Sequence, residues 1–123
     1  MLNIPASTKI YVASEPVDIR KGMDALAGWV DENGLDVFSG HLFVFFSKRM
    51  THVKILTWSR GGFVLLAKRL EQGRFRLPAR GENARTISID ATELAMLLDG
   101  IDIQKVQRSK VWVPAPRGID MHA

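Results

Sequence analysis

The chain has 123 residues, 46% of them hydrophobic and 24% charged, with no cysteine and a net charge of +4, the profile of one soluble globular domain rather than a multidomain enzyme or a disordered tail. Such a chain buries roughly two thirds of the surface its unfolded form exposes and needs no disulfide or metal staple, and the lack of cysteine excludes thiol nucleophiles, thiolate zinc sites and disulfide frameworks and favours a reducing compartment. No apolar run reaches the about 18 residues of a membrane span, and MLNIPASTKI has neither the basic start nor the apolar core of a signal peptide, so the cytoplasm is the expected location.

Residues 9–13, KIYVA, form a short strand candidate closed by the Ser14-Glu15-Pro16 turn signal. In 18–34, DIRKGMDALAGWVDENG, Ile19, Met23, Leu26, Ala27 and Val30 fall on one face at 3.6 residues per turn and predict a helix. Asp18 is the expected cap and Gly34 the stop. Gly22 and Gly28 inside it each cost about 1 kcal/mol against alanine, so either something packs closely there or tertiary contacts override propensity. Arg20 and Lys21 stand where the macrodipole disfavours cations; they answer to a partner, to Asp18 and Asp24, or to solvent alone.

After a turn at Phe38-Ser39-Gly40, LFVFF (42–46) is too short for a helix and reads as a central strand. HVKILTW (52–58) puts Val53, Ile55 and Thr57 on one face and His52, Lys54, Leu56 and Trp58 on the other. FVLLAK (63–68) follows a hairpin signal at Ser59-Arg60-Gly61-Gly62. These three runs make an antiparallel meander. EQGRFRLPARGENAR (71–85) carries the glycines and proline of irregular structure and reads as a poorly ordered basic loop. TISI (86–89) is a short extended piece, Asp90 to Glu93 is the D-x-x-E form of a capping box, and Leu94, Leu97, Leu98 and Ile101 give a second helix its apolar stripe, with Gly100 at the stop. The remainder is polar with two prolines and reads as an arm or frayed tail, with Trp112 as its candidate anchor. The expected fold is α+β, a small antiparallel meander sheet with two helices packed against it, as a single domain over 1–102 with a polar C-terminal extension over 103–123.

Charge is unevenly spread. Between Lys48 and Arg85 stand ten basic residues and two acidic ones, a net of +8, so the rest of the chain carries −4. In a meander, the turn after the first strand and the end of the third strand lie at the same edge. Lys48 and Arg49 are therefore expected beside Lys68, Arg69 and the following segment, with Arg60 at the opposite pole. Arg74-Phe75-Arg76 interleaves a ring with two guanidinium groups, the composition that stacks a base while neutralising phosphate, although Phe75 fits equally as a plug that pins the loop to the core.

Other chemistry finds little support. His41, His52 and His122 have no ligand-like spacing, so no metal or other cofactor is expected. Ser39-Gly40-His41 is not a nucleophile elbow. Asp24 and Asp31 share a helix face, but the third carboxylate that two-metal cleavage needs has no plausible position. No catalytic residue is assigned, and the chain reads as a non-enzyme.

DIRKGMDAL (18–26), SGHLFVF (39–45), KILTW (54–58), GGFVLLAKRLEQGRFRLP (61–78) and LAMLLDGID (94–102) together resemble the small TnpB accessory proteins, second-reading-frame products of bacterial insertion sequences of family sixty-six, in order and spacing over about residues 5–102. The resemblance implies an accessory role in transposition without catalysis, since the transposase is a separate, larger protein bearing the catalytic carboxylates; that transposase is the implied partner. It does not extend to the RNA-guided nucleases that share the TnpB label, whose length and zinc cysteines are missing here. Two roles follow. In the first, Lys48, Arg49, Lys68, Arg69, Arg74 and Arg76 contact the phosphates of element DNA and Phe75 stacks; about five such contacts correspond to a salt slope near −4 to −5. In the second, the protein is an adaptor that holds the transposase or another accessory subunit without touching DNA, with Trp29, Phe38 or Trp58 as apolar anchors and the basic pole taking an acidic partner.

Overall fold

In the computed structural model, which describes residues 4–79 and 81–105, the elements run β1 (Ile10–Ala13), α1 (Met23–Glu32), β2 (Leu42–Phe46), β3 (His52–Ser59), β4 (Gly62–Arg69), β5 (Thr86–Ile89) and α2 (Ala91–Leu98), followed by a 3-10 turn, Ile103–Lys105. One sheet holds all five strands in the order β4-β3-β2-β1-β5. The β2-β3-β4 meander is antiparallel as its sequence predicts, with Phe43 opposite Leu56 and Ile55 opposite Leu66. The sheet is wider than the meander. β1 lies parallel to β2, Ile10 opposite Leu42 and Val12 opposite Val44, with α1 as the crossover; β5 closes the far edge antiparallel to β1.

Two layers of side chains cover this sheet. Leu42, Val44 and Phe46 of β2 join Val53, Ile55, Ile87, Leu94 and Leu97 on the α2 side, whereas Phe43 and Phe45 join Leu26, Val30 and Leu56 on the α1 side. A strand buried on both faces has no polar side to show, which is why LFVFF is a continuous apolar run. All five of its residues are buried.

The first helix starts later than its apolar spacing suggests. Gly22, rather than Asp18, is its N-cap, and no side chain caps it. The preceding residues are committed elsewhere: Val17 forms a parallel bridge with Ser47, and Asp18 closes a turn by accepting from the Arg20 backbone N–H at 2.9 Å. Gly28 faces open space, with nothing within 4 Å of where a Cβ would stand, so packing of Leu26 and Val30 overrides its poor propensity. The helix stops at Gly34, φ +74°, as a C-terminal glycine does. The capping box of α2 is present in full: Asp90 Oδ1 accepts from the Glu93 N–H at 2.7 Å and Glu93 Oε1 from the Asp90 N–H at 3.1 Å.

The β3-β4 hairpin turns at Arg60 (φ +47°) and Gly61 (φ +86°), the two positive angles of a type I′ turn. The segment after β4, expected to be poorly ordered, is instead tied down by the Phe75 N–H, which donates to the Met50 carbonyl at 2.7 Å. Past α2, Ile103 packs against the core and Gln104 Nε2 donates to the Leu77 carbonyl at 2.9 Å. Most of the expected extension, Trp112 included, lies outside the described residues. Among the described residues no helix is long and apolar enough to cross a membrane.

Candidate functional site

The β2-β3 turn is built on one buried serine. Ser47 Oγ accepts from the backbone N–H groups of Thr51 and His52 at 3.3 and 3.1 Å, and the Ser47 carbonyl accepts from the Met50 N–H at 2.9 Å. With its polar groups so occupied, the serine sits inside at 4% exposure and pushes Lys48 and Arg49 outward as exposed residues.

The same end of the sheet receives the end of β4, because His52 pairs with Arg69 and Val53 with Lys68. Leu70 then donates to the Thr51 carbonyl at 2.9 Å. The Phe75–Met50 bond carries Arg74 and Arg76, both exposed, back across the turn. The meander thus gathers Lys48, Arg49, Lys68, Arg69, Arg74 and Arg76 at one end, while Arg60 stands at the other, on the β3-β4 turn.

These six cations are not equivalent. Lys68 Nζ donates to the Leu98 carbonyl at 2.6 Å, giving the C-terminal end of α2 the positive charge that its own last turn lacks and that the helix dipole favours there. Arg69 holds Glu71 Oε1 through Nε at 3.1 Å and Nη2 at 2.8 Å. Lys48, Arg49, Arg74 and Arg76 have no carboxylate partner among the described residues; Arg80 lies outside them.

Phe75 does not belong to this exposed set. It is 1% exposed, with its ring centroid 5.4 Å from that of Phe46. A side chain without free surface cannot stack on a base, so the expected stacking role is corrected to that of the plug. Its apolar ring is the anchor from which Arg74 and Arg76 project on either side.

A further cation, Arg20, joins this end from before α1. Arg20 grips Asp18 in a two-point ion pair, Nε to Oδ1 at 3.1 Å and Nη2 to Oδ2 at 2.8 Å. The Arg20 hydrogen bonds, together with the field of Lys48, hold the Asp18 carboxyl well below the usual carboxylate range. Lys54, half-buried on β3, fixes the loop by donating to the carbonyls of Ile19 at 2.6 Å and Lys21 at 2.9 Å. Those carbonyls are therefore spent on an ammonium group instead of on helical bonds, which explains both the late start of α1 and the outward position of Arg20 and Lys21. Arg20 had a visible signal, its misfit to the helix dipole; Lys54 had none, because its bonds span more than thirty residues of sequence.

The opposite end of the sheet is aromatic. Phe38, 59% exposed, meets Trp58 edge-on at 4.9 Å and Phe63 in a stacked arrangement at 5.8 Å. Trp29 stands apart from this group, packed edge-on against Phe45 at 5.3 Å. His41 is likewise structural, its Nδ1 accepting from the Lys9 N–H at 3.0 Å. His52 lies with the basic end, its Nδ1 3.1 Å from Thr51 Oγ1. No three His, Asp or Glu side chains converge among the described residues.

Residues 8–108 match the family model described as IS66 Orf2 like protein. Two proteins of Sinorhizobium fredii (strain NBRC 101917 / NGR234), uncharacterized proteins y4jC and y4hO, are 34% and 35% identical to the chain, over 93% and 96% of its length and 97% and 100% of theirs. No solved structure matches.

Proposed function

Since the chain belongs to the IS66 Orf2-like family of insertion-sequence accessory proteins, we propose that it serves transposition in the cytoplasm without catalysis, by binding nucleic acid through its basic end. One observation carries this reading: Lys48, Arg49, Arg74 and Arg76 stand exposed, without an ion-pair partner among the described residues, on two segments joined by the Phe75–Met50 hydrogen bond. Cations gathered at one end repel one another, and a phosphate backbone supplies the opposite charge. Ser47 in one segment and Phe75 in the other anchor the backbone from which these side chains project.

A second reading, the adaptor, rests on the aromatic group at the opposite end. Phe38 leaves most of its ring in water beside Trp58 and Phe63, the kind of residue that anchors protein interfaces. The two readings part in a pull-down with the transposase of the same element, run with and without nuclease. Binding through nucleic acid predicts that nuclease abolishes recovery of the transposase. A complex that survives nuclease and is lost on Phe38→Ala belongs to the adaptor.

A further inference from the structure

We propose that the cleft between the 17–20 loop and the β2-β3 turn is a phosphomonoester site. It has a volume of about 440 Å³ and is lined by Arg20, Ser47, Lys48, Arg49, Thr51 and His52, with the Asp18 carboxylate at its wall. That volume is within the range of small-ligand pockets. It opens outside the carboxyl ends of β1 and β2, the one parallel pair among the described strands, where the Val17–Ser47 bridge holds its two walls together.

The charge of the cleft selects the ligand. Arg20, Lys48 and Arg49 bring three positive charges to the lining against the one negative charge of Asp18. The remaining two match a phosphomonoester, which carries about −1.5 to −2 at neutral pH, better than a diester with its single charge. Asp18 does not compete for the ligand. Its two oxygens are engaged by Arg20 Nε, Nη2 and backbone N–H, and of the five guanidinium N–H donors the ion pair uses two, leaving three. The carboxylate is thus a brace that fixes the Arg20 fork, and Lys54 fixes the loop on which both stand. Thr51 and His52 line the cleft's other side, tied to each other through Thr51 Oγ1 and His52 Nδ1 at 3.1 Å. Such a group arrives as the phosphorylated end of a nucleic-acid strand or as a free nucleotide; that the ligand is a strand end rests on the nucleic-acid reading above, while the phosphomonoester site itself does not.

The full-length protein is titrated with two duplexes of one sequence, 5′-phosphorylated and 5′-hydroxyl, and separately with AMP while backbone amide shifts are followed by NMR. The phosphorylated duplex is expected to bind at least about fivefold more tightly, and that ratio to fall to one in Arg20→Gln and in His52→Gln, each checked for wild-type melting. Arg74→Ala with Arg76→Ala should weaken both duplexes and preserve the ratio. AMP is expected to shift amides of residues 18–20 and 47–52. An end preference without AMP shifts assigns the site to strand ends, and AMP shifts without an end preference assign it to free nucleotide. Equal affinities together with unshifted cleft amides overturn the proposal. Failure of either duplex to bind at low salt removes the nucleic-acid reading instead, and the AMP shifts alone then decide the cleft.

Discussion

Phe75→Ala is expected to cost about 3–5 kcal/mol of folding stability, the range for truncating a fully buried phenylalanine, although the residue lies in a segment without helix or strand. Phe75 is 1% exposed, packs on Phe46 and completes the core on the α2 side. Its loss leaves a cavity under the chain that crosses the β2-β3 turn and removes the side chain that seats the Phe75–Met50 hydrogen bond, between the flanking Leu70–Thr51 and Gln104–Leu77 bonds. Urea denaturation and thermal melting check the figure; for a domain of this size, a loss of about 3 kcal/mol lowers the melting temperature by roughly 10 °C or more. Phe75→Leu keeps most of the apolar volume and is expected to cost under about 1.5 kcal/mol. A base-stacking Phe75 would behave in the opposite way, with Phe75→Ala leaving stability near wild type and reducing only binding.

The second large effect falls on binding and spares the fold. Replacing Lys48, Arg49, Arg74 and Arg76 together by alanine removes four exposed side chains that make no ion pair among the described residues, so each change should alter stability by no more than about 0.5 kcal/mol. If each contacts one phosphate, their counterion-release contribution is worth on the order of a thousandfold in affinity at about 0.1 M salt. Lys68→Ala and Arg69→Ala are expected to do much less to binding. Lys68 is spent on the Leu98 carbonyl and Arg69 on Glu71, although the second of these, an exposed pair, is weak enough to exchange for a phosphate. Anisotropy titrations of a labelled duplex with the quadruple and the two single variants rank them directly.

Local patterns carried much of the fold into the sequence, and non-local pairing carried the rest out of sight. The period-2 alternation of β3, the unbroken apolar run of β2, the Arg60-Gly61 turn and the Asp90/Glu93 box are each written within a few residues, and each is found where its pattern predicts. That β1 enters the sheet beside β2 and parallel to it is fixed by contacts between residues about thirty positions apart, for which a four-residue strand holds no local mark. The start of α1 departs from its apolar spacing for a similar reason: the 3.6-residue period includes Ile19, but a lysine on a distant strand holds the Ile19 carbonyl. At the basic end, the meander alone was enough to bring Lys48 and Arg49 to the side of Lys68 and Arg69. Which of those cations are already engaged depends on α2 and Glu71, and the burial of Phe75 depends on the path of an irregular segment. Neither leaves a period in the sequence.

The salt dependence of duplex binding tests the nucleic-acid reading most directly. With Lys48, Arg49, Arg74 and Arg76 as the phosphate contacts, each contributing about −0.9 to the slope of log K against log salt, the wild-type protein is predicted to show a slope of about −3.6 between 50 and 200 mM salt. That is shallower than six contacts would give, by the two cations that Leu98 and Glu71 occupy. A flat response, or no binding to element-end DNA at the low end of that range, would contradict the account.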